Sequence, residues 1–170
     1  MLVKARVPKA RLVNSRTREK EKENRQGVSC CKKGTGRNKC GACVCLTRSP
    51  RDVIKDVKIN SSGESVRIED KINCETKSFV YVLQSEKDPR QYCGQSGVSV
   101  ATRAKQHAYD IENNDRPVAR HFEATGNKKH HLRMTPLMVI KSNNSWVRLP
   151  YERQFINHQN LIEEGIYTSL

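Results

Sequence analysis

Ser78-Phe79-Val80-Tyr81-Val82-Leu83-Gln84, then Glu86-Lys87-Asp88-Pro89, then Gln91-Tyr92-Cys93, is the stretch that decides the fold. The first run joins β-branched, aromatic and aliphatic side chains, which suit a pleated and largely buried surface. The charged tetrapeptide ending in proline reads as a turn, and extended structure resumes after it. Two strands separated by so short a connection predict an antiparallel hairpin. Gly94-Gln95-Ser96-Gly97 is expected to break the second strand, and Ser99 stands where a helix N-cap belongs.

Working towards the C-terminus, Val100, Ala104, Ala108 and Ile111 recur at spacings of three and four, giving one apolar helix face that Asn113-Asn114-Asp115 ends. Pro117 opens a second, shorter helix with Val118, Ala119 and Phe122, closed near Gly126. Leu132, Met134, Leu137, Val139 and Ile140 make residues 131–141 a third strand. Pro150 is read as the first turn of a last helix carrying Phe155, Ile156, Gln159 and Leu161. Residues 77–170 thus form an α+β domain.

Working towards the N-terminus, residues 51–75 mix short apolar alternations (Val53, Ile54, Val57, Ile59) with the turn signal Asn60-Ser61-Ser62-Gly63 and then Val66-Arg67-Ile68. This reads as a hairpin or connector leading to Cys74. No internal repeat is visible.

Charge separates the two ends of the chain. The 170 residues hold 32 Lys+Arg against 18 Asp+Glu, a net charge of +14. Of that charge, +6 falls in residues 1–28 and +5 in residues 29–48, leaving +3 for the other 122. Residues 1–28 are too polar to bury enough apolar surface to offset their ordering entropy, and they read as a mobile basic arm. Its partner is expected to be a polyanion, with affinity that falls as salt rises.

The basic run continues into a cysteine cluster, Cys30-Cys31, then Cys40-Gly-Ala-Cys43-Val-Cys45, with Cys74 farther on. Cys40 and Cys43 have the spacing that lets two thiolates converge on one tetrahedral Zn²⁺. Cys31 (or Cys30) and Cys74 are the best candidates to complete a structural zinc site, with Cys45 spare. Sets built from Cys30, Cys31, Cys40 and Cys43, or including Cys45, stay open. Lys32, Lys33 and Arg37 around the cluster favour thiolate and are candidate substrate-binding residues. Residues 29–76 are therefore read as a zinc-binding segment and connector.

Several classes are excluded by composition. No run approaches the roughly 18–20 apolar residues that span a bilayer, so no membrane partner is expected. Seven cysteines is an odd number, and most sit in one short stretch, unlike a secreted disulfide scaffold. Met1 is followed by Leu-Val-Lys-Ala-Arg, which is no signal peptide, so a reducing, intracellular compartment is expected.

The candidate chemistry of the α+β domain lies at its element ends. Arg103 and His107 are four apart and share a helix face. Tyr81 and Tyr92 lie on neighbouring strands, and Glu152 belongs to the last helix. Two phenols, a guanidinium, an imidazole and a carboxylate are the ingredients of phosphodiester hydrolysis.

Phe79-Val80-Tyr81, followed by Tyr92-Cys93-Gly94-Gln95-Ser96, resembles the two-part signature of the GIY-YIG nucleases. Arg103 and His107 stand where that family places its helix arginine and histidine. The segment Leu149-Pro150-Tyr151-Glu152-Arg153-Gln154-Phe155-Ile156 resembles the one bearing its metal-binding glutamate. Within the family, the chain is most similar to the C-terminal endonuclease domains of Penelope-like retroelements. The shared texture is Val80-Tyr81-Val82-Leu83, Asp110-Ile111 and Pro117-Val118-Ala119-Arg120-His121-Phe122, with a cysteine-rich knuckle upstream.

This resemblance implies a small three-stranded antiparallel sheet flanked by helices, hydrolysing DNA with one divalent metal, Mg²⁺ or Mn²⁺. It implies Tyr81 as general base or its relay, and Tyr92 orienting the scissile phosphate or the water. Arg103 would stabilise the pentacovalent phosphate, and His107 would assist Tyr81 or contact phosphate. Glu152 would bind the metal, and Gly94 would admit substrate close to the backbone. Cys93, in the second motif, reads as a buried strand cysteine. The alternative is a module of the same fold that binds nucleic acid and cuts weakly or not at all, because the asparagine common in the family about fifteen residues past the glutamate is replaced here by Tyr167, with Asn160 nearby. A retroelement setting would add an RNA template and a reverse transcriptase domain as partners, and the nucleus as location.

Overall fold

A computed structural model describes residues 26–29, 53–59, 63, 65–113 and 116–158. In chain order the strands are β1 (Gly27–Ser29), β2 (Val53–Ile54), β3 (Asp56–Lys58), β4 (Ser65–Arg67), β5 (Lys71–Ile72), β6 (Phe79–Ser85), β7 (Asp88–Ser96) and β8 (Leu132–Val139). The helices are α1 (Val100–Asn113), α2 (Pro117–Ala124) and α3 (Ser145–His158), with one 3₁₀ turn at Lys129–His131.

The central sheet has the order β7-β6-β8, and both pairings are antiparallel. Phe79, Val80, Tyr81, Val82 and Leu83 are all at most 1 % exposed. Such a continuous apolar run is what a middle strand covered on both faces requires. Phe79, Tyr81 and Leu83 share a cluster with Val100, Ala104, Phe122, Leu132 and Met134, the contribution of α1, α2 and β8. Val80 and Cys93 pack instead with Ile140 and Ile156, with Met138 and Phe155 alongside, so α3 covers the opposite face.

The predicted hairpin forms, but its turn is shorter than expected. Glu86 and Lys87 alone make it, and Pro89 belongs to β7. Ser85 pairs Asp88 and Gln84 pairs Gln91, so Pro89 and Arg90 are the extra residues of a bulge. A bulge on an edge strand tolerates the missing N–H donor of proline. Nor does Gly94-Gln95-Ser96 break β7: Gly94 pairs Tyr81 and Ser96 pairs Phe79, and the strand ends only before Gly97.

The first two helices follow the sequence pattern. Ser99 Oγ accepts the Thr102 N–H at 3.2 Å and caps α1. Pro117 stands in the first turn of α2, and Gly126, at φ +65°, follows its end. The last helix departs from expectation. It starts at Ser145, and Pro150 lies inside it rather than in its first turn. Asn144 sets the start, because its Oδ1 accepts the Trp146 N–H at 3.0 Å. Pro150 then forgoes the bond that would reach the Trp146 carbonyl.

Ahead of the central sheet, β3 and β4 pair antiparallel, the hairpin anticipated for that region. β1 joins β2 antiparallel and β5 parallel in a second small sheet. Val28, Val57, Ile59, Ile68, Ile72 and Cys74 belong to the same cluster as Tyr81 and Phe122. The Asp70 carboxylate accepts the Val139 N–H at 2.7 Å and fastens this layer to the edge of β8. Residues 1–25 of the predicted 1–28 arm lie outside the described residues, as do Cys30, Cys31, Cys40, Cys43, Cys45, Lys32, Lys33 and Arg37. The arm does not extend to 28: Gly27 and Val28 belong to β1, and Val28 is 0 % exposed in the core. Among the described residues no helix is long and apolar enough to cross a membrane.

Candidate active site

Tyr81 sits at the middle of the middle strand and is 0 % exposed. Its ring faces α1, where Arg103 and His107, one turn apart, meet the same hydroxyl. Arg103 Nε–H donates to it at 2.9 Å, and His107 Nε2 lies 2.8 Å from it. The Tyr81 and His107 rings meet edge to face, with centroids 5.6 Å apart. A guanidinium can only donate, so the phenol oxygen accepts from Arg103. The three groups are satisfied together when Tyr81 donates its proton to Nε2 and the imidazole carries its own on Nδ1.

Burial fixes these protonation states. It raises the Tyr81 phenol above the ordinary tyrosine range, and the opposing pull of Arg103 offsets only part of this. Burial first, and then the charges of Arg103 and Arg116, push His107 down to about 3. His107 is 4 % exposed. It is therefore a neutral acceptor near pH 7, turned towards Tyr81.

Tyr92 and Glu152 complete the group. Tyr92 pairs Leu83 across the sheet, on the strand beside Tyr81. Its phenol is raised by burial and then by the charge of Glu152, with Arg103 opposing. The Glu152 carboxyl is raised by its own burial, against the pull of Arg103 and Arg153. Glu152 acts electrostatically on Tyr81, Tyr92 and Cys93, and Arg103 acts on Glu152, so the carboxylate lies within electrostatic reach of both phenols and the guanidinium. Cys93 is buried, and its Sγ–H points to the Glu152 carbonyl at 3.9 Å, joining α3 to β7. All five candidate catalytic residues thus gather from β6, β7, α1 and α3.

Glu152 suits a divalent cation. Its carboxylate is half-buried and takes no hydrogen bond or ion pair among the described residues. Desolvated oxygens left open in this way are completed by a hard cation, and Mg²⁺ characteristically takes one or two carboxylates plus water and phosphate oxygens. Among the described residues no cluster of three or more His, Cys, Asp or Glu forms an all-protein cage.

Gly94 has a different neighbour from the expected one. A Cβ built on it would lie 2.7 Å from both Cζ and the hydroxyl of Tyr81 and 3.0 Å from Tyr92. The space left by the missing side chain is filled by Tyr81, not by substrate. Gly94→Ala is therefore expected to displace the Tyr81 ring, costing about 1–3 kcal/mol of stability and most of the site's activity. Thermal denaturation alongside a cleavage assay checks this; an unchanged melting temperature would contradict the packing.

The sequence reading passed over Arg148, which is 5 % exposed on the helix turn before Glu152. Its spacing of four from Glu152 was the available signal. Asn160 and Tyr167 lie outside the described residues.

Comparison with known proteins places the GIY-YIG catalytic domain on residues 77–164, just over half the chain. No curated protein and no solved structure matches it.

Proposed function

The chain belongs to the GIY-YIG catalytic-domain family, and from that premise we propose that it is a divalent-metal-dependent endonuclease that nicks DNA. The observation that carries the proposal is the Tyr81 hydroxyl held between Arg103 Nε and His107 Nε2, with the charge of Glu152 close enough to act on it.

Tyr81 acts as a relay rather than as a standing phenolate, since burial keeps its proton on. As the attacking water gives a proton to the phenol oxygen, Tyr81 passes its own to His107 Nε2. An incoming phosphodiester brings negative charge beside Arg103 and offsets the cationic field on His107, so substrate binding makes the imidazole more basic. Arg103 spends Nε on Tyr81 and Nη1 on Gln106, at 3.2 Å. Its remaining N–H groups are available to the charge that develops on the phosphate. Tyr92 orients the water or the phosphate from the neighbouring strand. A divalent cation at Glu152, Mg²⁺ or Mn²⁺, would neutralise charge at the phosphate and the leaving oxygen.

A basic arm ending ahead of β1, a zinc-binding connector up to residue 76 and a nuclease unit over 77–170 are proposed. In this reading Cys31, Cys40, Cys43 and Cys74 hold a structural zinc, and Lys32, Lys33 and Arg37 contact DNA phosphates. Cys40→Ser is expected to release zinc and weaken DNA binding while the 77–170 unit stays folded. A wild-type protein without zinc would overturn this reading. The cut itself is proposed to serve target-site priming for a Penelope-like retroelement, in the nucleus, alongside a reverse transcriptase and its RNA template. Sequencing of the nick ends, followed by extension with a reverse transcriptase, checks that role; ends without a 3′ hydroxyl would exclude it.

Supercoiled plasmid incubated with Mg²⁺, Mn²⁺ or EDTA tests the main proposal. Open-circular product with either metal and none with EDTA is the expected result. Binding without cutting would assign the chain to the non-cleaving DNA-binding alternative.

A further inference from the structure

Arg148 is a buried guanidinium that the five-residue centre does not use. Its Nε–H donates to Gln95 Oε1 at 2.6 Å, and Nη1 donates to the Ser142 carbonyl at 3.3 Å. The guanidinium lies over Gly97, where a Cβ would come within 3.0 Å of Nη2. Both acceptors are neutral, and no carboxylate pairs with Arg148 among the described residues. Nη2 has no hydrogen-bond partner among them either, yet it is not sealed in the interior.

A guanidinium never loses its proton in a protein, and burying its charge without a counter-ion is costly. Here two clamps lock the side chain, the glycine clears space beside it, and one NH₂ group is left open. That is a preformed donor for an anion. Arg148 and Glu152 are four apart on α3, so they share a helix face ~6 Å apart along the axis. We propose that Arg148 binds a phosphate of the DNA strand next to the scissile one, a subsite that rests on the nuclease reading above.

The same clamps would also staple α3 to β7, so the test must read charge on DNA as well as stability. With the full chain, binding to duplex DNA is measured across a salt series in EDTA, and nicking is measured with Mg²⁺. Arg148→Gln is expected to reduce the slope of log K against log salt by about 0.9 and to raise KM about tenfold. Arg148→Lys, which keeps the charge, should retain the slope. An unchanged slope in a folded Arg148→Gln protein overturns the subsite while wild-type nicking leaves the nuclease reading standing. If the wild type neither binds nor nicks DNA, the nuclease reading fails and takes the subsite with it. If Arg148→Gln does not fold, Arg148→Lys decides: it gives up the planar fork, KM should still rise about tenfold, and an unchanged KM overturns the proposal.

Discussion

Tyr81→Phe lowers the rate of DNA cleavage by about 10²–10⁴-fold, the span that a proton-transfer group supplies. The substitution removes one oxygen from the centre of the sheet and leaves the ring that Phe79 and His107 pack against. Two partners are stranded, the Arg103 Nε–H and the His107 Nε2, and leaving a buried polar group unmade costs about 1–3 kcal/mol. The variant should therefore melt lower than the wild type and still fold. Single-turnover nicking, read beside a thermal melt, separates the two effects. A folded Tyr81→Phe protein that cuts at the wild-type rate would remove the phenol from the chemistry.

Arg103→Ala has a comparable effect by another route, about 10²–10³-fold in cleavage rate, as for loss of one preorganised donor to a developing anion. Two further consequences follow from the geometry. Tyr81 loses the donor that fixes the direction of its hydroxyl. His107 and Glu152 both lose the nearby positive charge that lowers their pKa values, so both rise. Arg103→Lys keeps a cation but cannot hold Tyr81 through one nitrogen while offering a planar fork to phosphate, so it should recover little of the rate. Single-turnover rates for the two variants check this; full rescue by lysine would reduce the role of Arg103 to bulk charge.

Much of this site could be read in the sequence, because its residues sit on elements with strong periodic signals. The apolar run at residues 79–83 identifies a central strand, and the spacing of four in Arg103 and His107 places both on one face of α1. What periodicity cannot show is which direction a glycine serves. Gly94 leaves room for Tyr81, and that depends on a cross-strand register that local sequence does not fix. Pro150 misled through its preference for a first turn, a preference overridden by the cap that Asn144 supplies. With the helix start misplaced, Arg148 had no element to belong to. The parallel pairing of β1 with β5 was equally hidden, since strands of two or three residues carry no period.

Plasmid nicking by the wild type and by Glu152→Gln, assayed side by side in Mg²⁺ or Mn²⁺, tests most directly whether these five side chains work as one hydrolytic centre. Glu152 is only half-buried, so the substitution should leave the fold in place. The expected result is open-circular DNA from the wild type and intact supercoiled DNA from Glu152→Gln, with both proteins melting at similar temperatures. Equal nicking by the two proteins would contradict the account.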